Sequence, residues 1–238
     1  MPFETVLREL YPGAEPLERF ISRSAQALAA YGFRPGNTLA LVGVCRDELM
    51  FGVEQRLYES WGPCFDLSSL AAMIFLGRSG MQAAAHHAPD DAGRRRFVVF
   101  VLPHLGIDAD GRVGRVQREG QRVATAACGA LVKVQGELAA GHLDVELDPT
   151  DFELSLLRLE LLQRVAYGHV PGLPELTAIA GQAAVAEATR LTAELVVDPD
   201  TDVALVSGTV VHGPAGDMVA AAESWVSLGG ATPEPLSL

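Results

Sequence analysis

The 238-residue sequence contains few basic residues, and this limits the partners that it can have. Lysine and arginine together number 18 against 30 aspartates and glutamates, so the net charge is −12. Lys133 is the single lysine, and Arg94, Arg95 and Arg96 form the longest basic run. A nucleic-acid-binding surface needs clustered lysines and arginines to neutralise phosphates. The composition therefore predicts no nucleic-acid partner.

Long apolar runs are also missing. The longest, residues 70–76 and 97–103, are far shorter than the roughly 20 residues that span a bilayer. The N-terminal stretch MPFETVLREL is acidic and amphipathic, unlike a signal peptide. A mean hydropathy of +0.21 nevertheless indicates a well-buried core. We expect no membrane association and a cytoplasmic protein.

Cysteine is scarce. Cys45, Cys64 and Cys128 cannot form a complete set of disulfides, and a reducing compartment would keep them as thiols. Packing, reactivity and metal ligation remain as explanations, and we interpret Cys64 as a small buried residue. The sequence also lacks the lysine-containing loop that binds nucleotide phosphates and the G-x-S-x-G turn of serine hydrolases.

Helical and extended patterns alternate along the first 150 residues. Strands are predicted at 38–45 and 97–103, and helices at 3–10, 15–32, 46–60, from Asp66 onward, at 81–88 and from about Cys128. Alternation of this kind predicts an α/β fold with a mainly parallel sheet flanked by helices. The pattern changes after residue 151, where helices at about 152–168 and 174–190 precede β-rich segments near 192–197, 203–212 and 218–228. We therefore expect a C-terminal α+β extension.

Three residues that can bind metal occupy similar places in this predicted fold. Cys45 and His104 each end a predicted strand, and Cys128 begins a predicted helix. Strand C-termini and helix N-termini gather at one edge of a parallel sheet, so these side chains can converge. Two thiolates and an imidazole suit zinc and leave its fourth position open, and a helix N-terminus favours a thiolate at Cys128. From the spacing alone, two small buried cysteines and a core histidine are the better explanation.

Three ordered motifs carry a family resemblance. VCRDEL, then PHLGIDADGRVG with REG, then ACGAL resemble the limiting-CO2-inducible algal proteins B and C, often classed as θ-type carbonic anhydrases. The intervening WG, GRSGMQAAAHHAP and RRRFVVFVLPH agree as well, from roughly residue 38 to 135 and more loosely beyond. The resemblance implies a β-carbonic-anhydrase-like fold, a homodimer, CO2 and bicarbonate as substrates, and Zn²⁺ bound by Cys45, His104 and Cys128.

Asp47, close to Cys45 in the sequence, is the candidate for orienting the hydroxide that hydrates CO2. Hydrating CO2 requires a hydroxide at neutral pH, which zinc generates by lowering the pKa of water. Asp47, two residues past Cys45, can share its face and accept the proton of that hydroxide. An arginine keeps such a carboxylate ionised and off the metal. β-type enzymes have this arginine four residues after the first cysteine, where this sequence has Leu49, so we expect Arg46 or Arg56 to pair with Asp47.

Other polar residues have weaker claims. Arg78 is a candidate bicarbonate ligand or a simple helix cap, and Glu48 is a candidate functional residue or a solvated loop or helix N-terminal charge. His86 and His87 suit a helix C-terminus, although one of them can act as a proton shuttle. The remaining histidines are interpreted as structural; they are His142, His169 and His212.

These observations predict a zinc-dependent carbonic anhydrase, a lyase. Residues 1–150 would form the zinc-binding catalytic region, and 151–238 would complete the fold or the dimer interface. The main alternative is a non-catalytic zinc protein of the same fold that binds CO2, bicarbonate or a protein partner. A hydrolase that uses Cys45 or Cys128 with His104 as base, and a purely structural assembly protein, are further alternatives.

Overall fold

A computed structural model describes residues 1–193 and 198–238. Seven helices in these residues pack around a central sheet. The helices are α1 Phe3–Leu10, α2 Leu17–Ala29, α3 Phe51–Trp61, α4 Gly77–Ala85, α5 Gly129–Ala139, α6 Phe152–Leu162 and α7 Leu173–Thr192. The strands are β1 Glu15–Pro16, β2 Leu39–Val44, β3 Cys64–Asp66, β4 Arg95–Leu102, β5 His104–Gly106, β6 Arg115–Val116, β7 Thr125–Ala126, β8 Thr201–Gly213, β9 Gly216–Ala221, β10 Trp225–Ser227 and β11 Glu234–Pro235. Within the described ranges, no helix is long and apolar enough to cross a membrane.

The main sheet has the strand order β3-β2-β4-β8-β9-β1. Strands β3, β2, β4 and β8 run parallel to one another, and β5 is parallel to β8 beyond the end of β4. Strands β9 and β10 join β8 in the antiparallel sense. The centre of the sheet is covered on both faces, because β2 and residues 97–102 of β4 are buried throughout. The predicted α/β fold with a mainly parallel sheet is confirmed.

Strand β8 is central to this sheet although it lies near the end of the sequence. It spans 13 residues and pairs first with β4 and then, from Val210 to His212, with β5. The chain beyond residue 150 thus contributes an inner strand, while the division at residue 150 stays a prediction. Of the predicted β-rich segment 192–197, residues 194–197 lie outside the described residues.

The segment after Asp66 differs from its predicted helix. The structure has only a short 3-10 turn at Leu70–Ala72, in which Ala71 and Ala72 adopt φ angles of 55° and 63°. Such left-handed conformations cannot continue a right-handed helix. They direct the N–H group of Ala71 at the sulfur of Cys45, 3.3 Å away. A contact across the fold therefore overrides the local pattern, and α4 begins only at Gly77, where the sequence indicated a turn.

Candidate metal centre

Three elements place the predicted metal ligands together. Cys45 follows the last residue of β2, His104 is the first residue of β5, and Cys128 is the N-cap of α5. All three residues are buried, with 3%, 0% and 2% of their surfaces exposed. Their ligand atoms lie within 4.8 Å of one another, and the two sulfur atoms are 3.4 Å apart. The strands and the helix thus meet at one edge of the sheet, as the sequence pattern indicated.

A hydrogen bond joins the two sulfur atoms. The pKa of Cys45 falls to about 4, chiefly because the Cys128 thiol donates a hydrogen bond to it; burial opposes this effect, and His104 adds to it. The same hydrogen bond and burial raise the pKa of Cys128. The backbone N–H groups at the start of α5 lower it, but their effect is smaller. One thiolate and one thiol at such close range form a soft, negatively charged pair. A divalent cation can displace the thiol proton and bind both sulfur atoms.

The imidazole of His104 supplies the third ligand atom. Its Nδ1 atom lies 3.0 Å from Nε2 of His212, and Nδ1 of His212 lies 2.7 Å from Oδ1 of Asp217. The opposite nitrogen of His104, Nε2, is buried and makes no hydrogen bond to any residue in the ranges 1–193 and 198–238. A buried polar atom without a partner is costly unless something binds it. Nε2 is therefore the atom of His104 that is available to a metal.

The cluster fits a zinc ion. Zinc prefers thiolate sulfur and imidazole nitrogen, at about 2.3 and 2.0 Å, so the two sulfur atoms of a tetrahedral site lie roughly 3.8 Å apart. The sulfur atoms of Cys45 and Cys128 are 3.4 Å apart, so a small adjustment of their side chains would admit the ion. The unpartnered Nε2 of His104 completes a set of three ligands, and a set of three leaves one position for a reactant.

Asp47 lies beside the cluster and is held by Arg118. One carboxylate oxygen of Asp47, Oδ2, is 3.8 Å from Nε2 of His104. The other, Oδ1, accepts hydrogen bonds from the N–H group of Leu49 at 3.2 Å and from the Arg118 guanidinium at 3.0 Å. Burial raises the pKa of Asp47, and the neighbouring carboxyl of Glu48 adds to the rise. The charge of His104 and the hydrogen bond from the N–H group of Leu49 act in the opposite direction and lower the pKa of Asp47.

Arg118 is fixed in place by several partners. Its guanidinium also donates to the carboxylate of Glu48, to the hydroxyl of Thr125 at 2.7 Å and to the carbonyl of Ala126 at 2.9 Å. Burial alone would lower the pKa of Arg118, but the hydrogen bond that it donates to Glu48 and the charge of Asp47 raise it. The hydrogen bond from Arg118 lowers the pKa of Glu48 to about 2. A permanent cation thus lies directly behind Asp47.

The arginines expected from the sequence lie elsewhere. Arg46 binds Glu153 of α6 at 3.0 Å, and Arg56 contacts Glu59 at 3.0 Å and Glu18 at 3.6 Å on the exposed side of α3. The structure therefore brings Asp47 to Arg118 and to neither of these two. In β-type enzymes the arginine that pairs with the aspartate lies four residues after the first cysteine. This chain has Leu49 at that position, so its arginine comes from elsewhere in the sequence.

The other candidates have simpler surroundings. Arg78 is exposed in the first turn of α4, and His86 and His87 are exposed just after that helix ends. The Cys64 thiol donates to the carbonyl of Gly62 at 3.3 Å, and burial raises its pKa to about 11. The roles suggested for Arg78 and the histidine pair stay predictions.

Two residues at the site were not singled out from the sequence. Arg118 belongs to the motif REG, but its loop position gave no sign of its contact with Asp47. His212 was interpreted as structural, yet it lies near the C-terminal end of β8, a parallel strand whose end meets the same edge as β2 and β4. The strand-end rule that identified Cys45 and His104 applies equally to His212.

Comparisons with known proteins identify the family of this chain. A profile of the family described as "Limiting CO2-inducible proteins B/C beta carbonic anhydrases" matches residues 14–227. The chain belongs to this family. The resemblance drawn from the VCRDEL, PHLGIDADGRVG and ACGAL motifs is thereby confirmed, and so is the likeness to carbonic anhydrases at the level of the family.

Solved structures of limiting-CO2-inducible proteins share the fold. The crystal structure of limiting CO2-inducible protein LCIB is 26% identical, with a TM-score of 0.79 over 97% of this chain and 98% of that chain. PtLCIB4, a homolog of LCIB, is 24% identical, with a TM-score of 0.82 over 99% and 100% of the two chains. Among curated proteins, none matches the sequence.

Proposed function

We propose that the protein is a zinc-dependent carbonic anhydrase that interconverts CO2 and bicarbonate. The observation that carries this proposal is the buried Cys45–His104–Cys128 cluster with a carboxylate beside it, in a member of a family described as carbonic anhydrases. Bound zinc would supply a nucleophile at neutral pH by lowering the pKa of water. Cys45 and Cys128 would hold the ion as thiolates, and His104 through Nε2.

Asp47 would orient the reacting water. Its Oδ2 atom lies 3.8 Å from Nε2 of His104 and 3.4 Å from the Arg118 guanidinium, whereas Oδ1 accepts the shorter hydrogen bond from Arg118 and that from the N–H group of Leu49. A carboxylate accepts hydrogen bonds only, so it fixes the position of the water proton and turns the oxygen lone pair toward CO2. The hydrogen bond from the Arg118 guanidinium would hold this carboxylate in its ionised form and prevent it from binding the metal. Burial of the surrounding residues strengthens these electrostatic effects.

The test is stopped-flow CO2 hydration on samples of measured zinc content. We expect the hydration rate to rise in proportion to zinc and to fall to the buffer rate after chelation, with recovery when zinc is restored. Stoichiometric zinc without hydration above the buffer rate would contradict the proposal. That result would favour the alternative, a zinc protein of the same fold that binds CO2, bicarbonate or a protein partner without turnover.

Homodimer formation and a cytoplasmic location belong to the same proposal. Phe51 and Tyr58 are 68% and 55% exposed and lie two turns apart on one face of α3, which suits a contact with a second copy. The three cysteines are free, as a reducing compartment requires. Light scattering should give a particle of two 25.2 kDa chains. The mass of a single chain would contradict the dimer.

A further inference from the structure

A second buried histidine stands behind the candidate metal ligand. His212 is 4% exposed and lies on β8 opposite Gly106 of β5. Its ring meets that of His104 nearly edge-on, with centroids 5.1 Å apart and planes at 77°. Asp217 faces His212 across the β8–β9 ladder and reaches its other nitrogen. Paired strands therefore hold three polar side chains in a line that ends at His104.

The direction of the hydrogen bonds in this line follows from the chemistry of Asp217. An ionised carboxylate can only accept, so Nδ1 of His212 must carry the proton that it donates to Asp217. Nε2 of a neutral His212 then has a lone pair and accepts from His104. Nδ1 of His104 must therefore be protonated. The lone pair of His104 is left on Nε2, the buried atom without a partner.

We infer that Asp217 and His212 are positioning residues that fix the tautomer and the ring orientation of His104, so that its Nε2 lone pair is presented to the metal. The inference rests on the proposed zinc site. Metal-binding histidines commonly donate their second N–H to a carboxylate or a carbonyl, and loss of that acceptor weakens metal binding roughly 10- to 100-fold. Here the Asp217 carboxylate acts on His104 indirectly, because the imidazole of His212 lies between them and its tautomer sets that of His104.

The decisive comparison is His212→Phe against His212→Gln. Phenylalanine keeps a ring but removes the acceptor, and we expect zinc affinity, measured by competition with a chromophoric chelator, to fall roughly 10- to 100-fold. Glutamine places an amide oxygen the same number of bonds from the backbone as Nε2, and we expect it to restore most of the affinity. Equal zinc affinity in the wild type and His212→Phe, or failure of His212→Gln to recover affinity while the protein stays folded, would overturn the inference.

A spectroscopic measurement shows whether His212 sets the tautomer of His104 or only stabilises the fold around it. In metal-free protein labelled with ¹⁵N-histidine, His104 should be protonated on Nδ1 in the wild type and should move toward the Nε2-protonated form in His212→Phe. Val211→Ala serves as the matched control, because Val211 is buried in the same strand among Phe3 and Leu105. It should lower thermal stability but leave zinc affinity and the His104 tautomer unchanged.

The two proposals fail in different ways. A wild-type protein that binds no zinc would remove the proposed function, and the ¹⁵N spectrum would still show whether His104 is protonated on Nδ1. A wild type that binds zinc with His104 protonated on Nε2 in the metal-free state would overturn this inference alone.

Discussion

Replacing Cys128 with serine is expected to abolish zinc binding and CO2 hydration together. Serine offers a neutral hydroxyl where zinc needs a thiolate, and only two ligands would remain. The substitution also removes the hydrogen bond that holds Cys45 as a thiolate at neutral pH. Zinc affinity should therefore fall by more than the roughly 10- to 100-fold typical of a residue that only supports a ligand, and hydration should fall to the buffer rate. Zinc content and stopped-flow hydration measured on one preparation check both results.

Cys64→Ser is the matched control for this experiment. It makes the same chemical change at a half-buried cysteine whose thiol donates a hydrogen bond to the backbone carbonyl of Gly62, and it should leave zinc content and hydration as they are. A Cys128→Ser protein that keeps stoichiometric zinc and full activity would show that the cluster is not the metal site. Loss of activity in Cys64→Ser alone would point to chemistry at a different place.

Replacing Arg118 with leucine should separate activity from metal binding. Without the guanidinium, Asp47 loses its 3.0 Å partner, and its carboxylate, already 3.8 Å from Nε2 of His104, can bind the metal in the position that the reaction needs open. We expect hydration to fall roughly 100-fold while zinc remains bound. Arg118→Lys retains the charge but not the forked contact with two oxygens, and it should give an intermediate rate.

The control for Arg118 is Arg56→Ala. Arg56 lies on the exposed side of α3 with Glu18 and Glu59, so its removal should change hydration little. The reverse outcome, an inactive Arg56→Ala protein beside an active Arg118→Leu protein, would mean that the partner of Asp47 in solution is the arginine expected from the sequence. Loss of zinc in Arg118→Leu would assign the guanidinium a role in forming the cluster instead.

A general property of parallel sheets showed that Cys45, His104 and Cys128 can converge, and the family resemblance was needed to expect that they form one site. Apolar runs identify β2 and β4, and the side chains that follow such strands meet at one edge. The contact between Asp47 and Arg118 could not be found in this way. It joins residues 71 positions apart, and Arg118 lies in a loop whose course no periodic pattern describes. The arginines close to Asp47 in the sequence are Arg46 and Arg56, and neither is its partner.

The turn at Leu70–Ala72 shows a second limit of local patterns. The sequence after Asp66 has the apolar spacing and the N-cap chemistry of a helix. In the structure the N–H group of Ala71 instead donates a hydrogen bond to the sulfur of Cys45. Ala71 and Ala72 adopt left-handed backbone conformations there, which are unfavourable for residues other than glycine. The spacing of apolar residues favours a helix here. It does not show that the buried sulfur atom of Cys45 requires an N–H group from this segment.

The place of β8 in the sheet also has a consequence for the order of events during synthesis. All three candidate ligands lie within residues 45–128, yet the strand that supports β5 and His104 begins at Thr201. A growing chain thus carries every ligand long before it can hold them in place. Pairing of Arg95 with Thr201 must close a loop of more than a hundred residues, and contacts between such distant residues form slowly. Binding of a metal at this cluster would therefore follow completion of the sheet rather than guide its assembly.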